Sequence, residues 1–479
     1  MAEAQNLLII LSDEHNAAML GAAGHPFIRT PNLDALAQRG TRFDAAYTAS
    51  PICVPARAAL AIGQPLFEAG RHFDNADPYD GAIPSWHHRA REAGHSVVSI
   101  GKLHFRGAEG DDHGFSREIL PMHVVDGKGD LLALIRDATA PVRQGAKKLI
   151  AQAGPGESDY TRYDRDITAA AQVWLHEEAP RQTKPWVLFV SLVTPHFPLT
   201  APPEHYYAYP PERLPMPKLY HDRPSHPFLQ DYATTIPYDR AFQGEADVKR
   251  ALAGYCGLVS FMDEQVGKIL RALEACGHAG DTRVLYSSDH GDNAGARGLW
   301  GKSNMYEESA RVPMILAGPG VQAGQVRATP VSLLDVFPTV LDALGMPGAH
   351  AGSLLDLARA PDHERAVISE YHASGSREAA LMLRTAKWKY VRYVTYPAQL
   401  FDLAHDPEEL HDLAADPVHQ ATLAALEAQL AARVDIAALD ARVKARQAAI
   451  LAENGGREAV MRRGDLPYSP PPGAKASWS

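Results

Sequence analysis

The chain has 479 residues, 46% hydrophobic and 22% charged, an ordinary globular composition. That length exceeds what one core usually fills, so a large domain with a smaller one attached is expected. A net charge of -10 argues against nucleic acid as a partner, and no apolar run approaches the roughly 20 residues that a bilayer crossing needs.

The start MAEAQNLLIILSDEH has no basic leader segment, and three scattered cysteines make no disulfide framework, so a cytoplasmic protein with no membrane contact is expected. Residues 6–12 are a short, continuously apolar run, the mark of a strand buried on both faces in a parallel sheet flanked by helices. Asp13, Glu14 and His15 follow at once. Open α/β sheets bind ligands beyond the carboxyl ends of their strands, which suits Asp13 and Glu14 to a metal. Residues 30–40 carry a cap at Thr30, Pro31 at the first helical position and Gly40 as a stop, predicting a helix on the sheet.

Residues 48–64, TASPICVPARAALAIGQ, read as a loop entering a helix, because a proline fits a first turn whose amides are unpaired anyway. Cys53 then sits at a helix N-terminus, where free N–H groups favour an anion, and Arg57 lies four residues on near the same face. That is a site for a negatively charged, tetrahedral group. The spacing is too short for the Cys-x5-Arg cradle of thiol-dependent phosphatases, so an unmodified thiolate nucleophile is not the first expectation.

Asn75 lies in the turn-rich HFDNADPY, followed by a helix over 85–92 and a strand over 96–100 that ends in GKLHF. Lys102 and His104 alternate at period two and suggest an anion clamp with a proton carrier beside it. Residues 111–156 are loop-rich and weakly patterned. A helix over 163–177 and a buried strand over 186–193 come next, and His196 beyond that strand is a candidate general acid. Residues 201–242, rich in Pro, Tyr and His, read as a surface excursion bordering the substrate mouth.

A long amphipathic helix over 248–275 leads to a strand over 283–287 that delivers SDHGDN. Asp289 and His290 are therefore a good pair of ligands for a divalent cation, and Lys302 follows in GLWGK. A strand over 314–317 and a helix over 332–344 complete the large domain, placed at 1–365. Alternating strands at 367–371, 380–385 and 388–394 predict a small antiparallel sheet, with helices over 418–434 and 440–453, in a subdomain at 366–455. The stretch 456–479 is expected to be an extended tail, either disordered or held by a neighbouring subunit.

Cys-x-Pro-x-Arg followed by Gly63, with GKLH and SDHGDN, resembles the type I sulfatases of the alkaline phosphatase superfamily along nearly the whole chain. GKLHF, SARVP and LFDLAHDPEEL most resemble their choline-sulfatase branch. The resemblance implies an α/β fold, a large, mostly parallel sheet flanked by helices of alkaline phosphatase type, with a smaller C-terminal α+β subdomain. It implies a sulfuric ester hydrolase acting on a small sulfate monoester, and oxidation of Cys53 to formylglycine by a formylglycine-generating enzyme. In that family the hydrated aldehyde attacks sulfur and later expels sulfate.

By the same resemblance Asp13, Glu14, Asp289 and His290 bind a divalent metal together with the group at Cys53. Ca2+ is expected, with Mn2+ or Mg2+ as alternatives. Arg57 holds the gem-diol, Lys102 and Lys302 bind sulfate oxygens, Asn75 adds a hydrogen bond, His196 assists the leaving alcohol and His104 is the base. Ala56 also occurs in phosphonate monoester hydrolases, so a phosphonate monoester or phosphodiester hydrolase using the same site is the alternative. A homo-oligomer, dimer or tetramer, is expected from the tail.

Overall fold

The computed structural model describes residues 4–347, 352–476 and 478. Strand β1 (Asn6–Asp13) is buried along its whole length. Its side chains alternate between two layers: Leu8 and Ile10 join one core, Leu7, Ile9 and Leu11 the other. A strand covered on both faces needs apolar residues at every position, which is why the run is continuous.

Strands β2 (Gly40–Phe43), β3 (Val97–Lys102), β4 (Arg117–Met122), β5 (Val187–Pro195), β6 (Thr282–Ser288), β7 (Met314–Ala317) and β8 (Gln325–Arg327) join it in one sheet. The order is β8-β2-β7-β6-β1-β5-β3-β4. Every pairing is parallel except those of β7 with β2 and β6. The register aligns the carboxyl ends that matter: Leu11 lies between Ser191 and Ser287, and Gly101 pairs with Ser191. Asp13, Lys102, His196 and Asp289 therefore emerge along one edge of the sheet.

The flanking helices are α1 (Pro31–Gln38), α2 (Cys53–Ile62), α3 (Trp86–Glu92), α4 (Asp159–Glu177), α5 (Glu245–Ala275) and α6 (Val336–Ala343). Residues of α1, α4 and α5 pack on the Leu8 face, and those of α2, α3 and α6 on the Leu7 face. Three strands of this sheet, β2, β4 and β8, were not anticipated. β2 reads only as the lead-in to the Cys53 loop, and β4 lies inside the weakly patterned stretch, because an edge strand half open to solvent loses the apolar run.

A separate antiparallel sheet follows, β9 (Val367–Tyr371), β10 (Ala380–Arg384), β11 (Trp388–Tyr393) and β12 (Gln399–Asp402), in chain order. Fully buried Lys389 ties it to the segment ahead of β7: its Nζ lies 2.6 Å from Glu307 and 2.8 Å from the Met305 carbonyl, and 2.7 Å from Glu409 of the C-terminal part. Helices α7 (Gln420–Ala431), α8 (Ile436–Glu453) and α9 (Gly456–Arg463) come last. The stretch from residue 456, expected as a tail, thus begins as a helix and continues over its own chain. Tyr160 donates a 2.6 Å hydrogen bond to the Ser469 carbonyl, and Asp465 accepts from Arg143 and the Gln144 amide. Among the described residues no helix is long and apolar enough to cross a membrane.

Candidate active site

Cys53 is the first residue of α2, a helix buried at every position and closed by Gly63 in the left-handed region. A Cβ on Gly63 would lie 2.4 Å from that of Phe337, so both conformation and packing demand glycine. Arg57, one turn on, gathers the strand ends. Its Nε donates to Asp289 at 2.8 Å, Nη2 to Asp13 at 3.0 Å, and Nη1 to the Lys102 carbonyl and Ser191 Oγ at 2.8 and 2.9 Å. Lys102 Nζ makes a short ion pair with Asp13. Buried carboxylates and cations in equal number thus meet under the helix N-terminus, which limits the desolvation cost of each.

Burial alone would raise the Asp13 carboxyl, but Lys102, His196, Arg57 and His290 outweigh it and hold the group well below the usual range. Asp13, Cys53, Asp289 and His290 each offer one donor atom within 4.8 Å of the others. Cys53 Sγ is 3.1 Å from His290 Nε2 and 3.7 Å from Asp13 Oδ1. His290 Nδ1 lies 3.0 Å from the Gly291 carbonyl, so it carries the proton and leaves Nε2 a lone pair facing the group. Two carboxylates, a bare imidazole nitrogen and the side chain at 53 fit a divalent cation.

Glu14 stands beside this group, within 4.8 Å of Asp13 and His196. Its Oε2 accepts from Lys302 at 2.8 Å and meets His196 Nε2 at 3.3 Å, while buried Oε1 has no partner. Burial pushes the Glu14 carboxyl up to about 8 against the pull of Lys302. Above lies a cavity of about 130 Å³ lined by Cys53, Asn75, His104, His196, Phe197, Tyr232, Tyr238, Lys302 and Tyr468.

The cavity thus brings together Cys53, Asn75, His104, His196 and Lys302 of the expected residues. Asp13, Arg57, Asp289 and His290 lie beneath its floor. Lys102 faces Asp13 and is not among the lining residues. The period-two alternation expected for Lys102 and His104 does not carry through. The strand stops at Lys102, His104 has a φ of 54°, and the amides of Leu103 and His104 both donate to the Met122 carbonyl. Both ring nitrogens of His104 are buried without a partner, and burial, then the charges of Lys102 and Arg57, push its pKa well below the ordinary value.

Sequence reasoning missed Ser191, mid-strand on β5, and Asp164, whose carboxylate accepts from the amides of Val193 and Thr194 and fixes the chain ahead of His196. It also missed residues 465–469 as a wall of the cavity. Only the polar serine inside an apolar run hinted at the first; Asp164 lies among other charged residues and gave no signal.

A family model described as Sulfatase matches residues 5–346, more than half of the chain. The chain belongs to the sulfatase family. A second model, N-sulphoglucosamine sulphohydrolase, C-terminal, matches residues 295–435 of this sulfatase. A choline-sulfatase of Rhizobium meliloti (strain 1021) is 35% identical over 465 residues, covering 92% of this chain and 89% of the relative. Human arylsulfatase K is 29% identical over 441 residues, covering 85% and 78%.

Among solved structures, the phosphonate monoester hydrolase of Agrobacterium radiobacter superposes with a TM-score of 0.71 at 23% identity, covering 92% of this chain and 96% of that one. A protein solved with its substrate D-glucosamine-2-N,6-O-disulfate gives 0.70 at 21%, covering 89% and 97%. These share the fold. The sulfatase is accordingly a sulfuric ester hydrolase built on the alkaline phosphatase-like sheet.

Proposed function

We propose that this sulfatase hydrolyses a small sulfate monoester, of aryl or choline type, through a formylglycine derived from Cys53 and a divalent cation, Ca2+ by preference over Mn2+ or Mg2+. The observation that carries the reading is Cys53 at the cavity floor, against Asp13 and His290, with Lys302, His196 and His104 around it. Burial, then Asp13, pushes its thiol up to about 12, so the unmodified residue is a neutral thiol and a weak nucleophile. The hydrated aldehyde of formylglycine would supply a nucleophilic oxygen and a second hydroxyl through which sulfate is expelled. The cation, held by Asp13, Asp289, His290 and the oxygen at 53, with the free Oε1 of Glu14 completing the set, would supply charge stabilisation for the ester oxygens.

The chain's own residues do the rest. Arg57 fixes Asp13 and Asp289 and with them the foot of α2. Lys302, ion-paired to Glu14 at 2.8 Å, neutralises sulfate oxygens, and Lys102 adds charge from beneath. Asn75 Oδ1 accepts the Val54 amide at 3.3 Å, leaving its NH2 to donate into the cavity. His196, its Nδ1 engaged at 2.7 Å by the Phe197 carbonyl, presents Nε2 to the leaving oxygen. His104, neutral and unpartnered, accepts the final proton.

The aromatic wall of Phe197, Tyr232, Tyr238 and Tyr468 supports a flat or quaternary-ammonium alcohol. The reading extends to a homo-oligomer maturing in the cytoplasm with a formylglycine-generating enzyme.

The test is peptide mass spectrometry on the tryptic fragment containing Cys53, where conversion removes about 18 Da, followed by kcat/KM on matched sulfate, phosphonate and phosphodiester esters. A residue that stays cysteine in active protein sinks the mechanism. A phosphonate ester outrunning its sulfate counterpart sinks the substrate class.

A further inference from the structure

We propose that His113, Glu118 and His123 form a second cation site, suited to Zn2+ or a similar transition ion, that braces strand β4 against the loop carrying His104. The three residues come from one hairpin-like passage: His113 precedes β4, Glu118 lies in it and His123 follows it. One donor atom from each lies within 4.8 Å of the others. His113 Nδ1 is 2.8 Å from Glu118 Oε1, and His123 Nε2 is 3.2 Å from Glu118 Oε2. Such separations suit donors sharing one ion at about 2.0–2.1 Å each.

Hydrogen bonding within the trio leaves a deficit. If each neutral ring directs its proton at Glu118, His113 Nε2 and His123 Nδ1 are left as bare acceptors, and both are buried with no partner. A cation between the three moves each ring proton to the outer nitrogen. On His113 that nitrogen faces Asp111 Oδ2 at 3.9 Å, and Asp111 is itself held by Arg106 Nε at 2.9 Å. Closing that gap on metal binding would give the carboxylate–histidine–metal sequence that fixes a ligand's tautomer.

The site is preorganised and open on one side. His113 packs at a tilt against Phe105 and His123 at ring separations of 5.2 and 5.3 Å. The His113 side chain is 4% exposed, whereas Glu118 and His123 are 22% and 21% exposed, which gives an ion a way in and leaves a position for water. Two imidazoles and one carboxylate select a borderline ion over Ca2+. The consequence is local: Met122 accepts from Leu103 and His104, and Val124 donates to the Phe105 carbonyl, so fixing His123 fixes the backbone of His104 on the cavity wall.

The test is Co2+ titration of full-length, chelator-stripped protein, read by visible absorption and by elemental analysis after Zn2+ competition. One equivalent should give the strong band of a four-coordinate ion. The band should survive Asp289→Asn, and binding should weaken at least tenfold in His113→Gln and His123→Asn. Zn2+ should raise the Tm of the unaltered protein and leave that of Glu118→Gln unchanged, a readout that stands if a histidine variant fails to fold. Absence of the band, a band lost in Asp289→Asn but kept in the histidine variants, or an equal Tm response in Glu118→Gln each overturns the proposal and leaves a hydrogen-bonded trio.

Discussion

Arg57→Ala is expected to destabilise the fold as well as the site, by an amount that follows from its contacts. The guanidinium sits 2.8 Å from Asp289 and 3.0 Å from Asp13, with all three side chains 3% exposed or less. Removing it leaves Asp13 with Lys102 and strips Asp289 of its cation, a loss of about 3–5 kcal/mol. The Lys102 carbonyl and Ser191 Oγ lose a donor as well, adding about 1 kcal/mol. An unfolding entropy of about 2.1 cal/mol/K per residue over 479 residues is roughly 1 kcal/mol/K, so Tm should fall by about 4–6 °C. Arg57→Lys keeps the charge but cannot span both carboxylates, and about half that fall is expected.

The assay is differential scanning calorimetry in chelator, repeated with excess Ca2+. Because a cation held by Asp13 and Asp289, as proposed, would take over part of the neutralisation, the deficit should shrink when it is added. Turnover should drop by about a hundredfold or more in the alanine variant through misplacement of α2. Tm values within a degree of the unaltered protein in chelator would show that Arg57 does not neutralise the two aspartates, and the charge argument would fail.

Two further outcomes are expected. Burial holds His87, whose Nδ1 donates to the His113 carbonyl at 2.8 Å, down at about 3. A folded pKa below the unfolded ~6.5 contributes stability that is present above that value and lost as pH falls towards 3, about 2 kcal/mol by pH 5. The drop in Tm from pH 7 to pH 5 should therefore be ~2 °C smaller in His87→Asn. Lys389→Met should lower Tm by about 3–5 °C by stranding Glu307 and Glu409, and Lys389→Met with Glu409→Gln should recover part of it. A double variant no better than the single would contradict the pairing.

The carboxyl ends of β1, β3, β5 and β6 were legible because buried parallel strands are continuously apolar and the chemistry-bearing residues follow at once. Asp13, Lys102, His196 and Asp289 all announce themselves that way. What the chain does not display is direction. Lys102 and Lys302 read alike as anion binders, yet one turns onto Asp13 beneath the floor and the other onto Glu14 at the wall. That choice is made by partners far away in the sequence. The segment 465–469 shows the same limit: its composition suggests a loose end, and contacts from Arg143, Gln144 and Tyr160 hold it at the cavity.

The burial of Cys53 also sets a clock. At 3% exposure within a fully buried helix, the thiol offers a second protein no access once the fold has closed. Its partner His290 lies 237 residues later, and at about 5–20 residues per second that residue leaves the ribosome roughly 10–50 s after Cys53. Under the proposed mechanism, an enzyme that oxidises Cys53 would compete with synthesis and closure, and the fraction of converted molecules would be set by that race before the finished protein meets substrate.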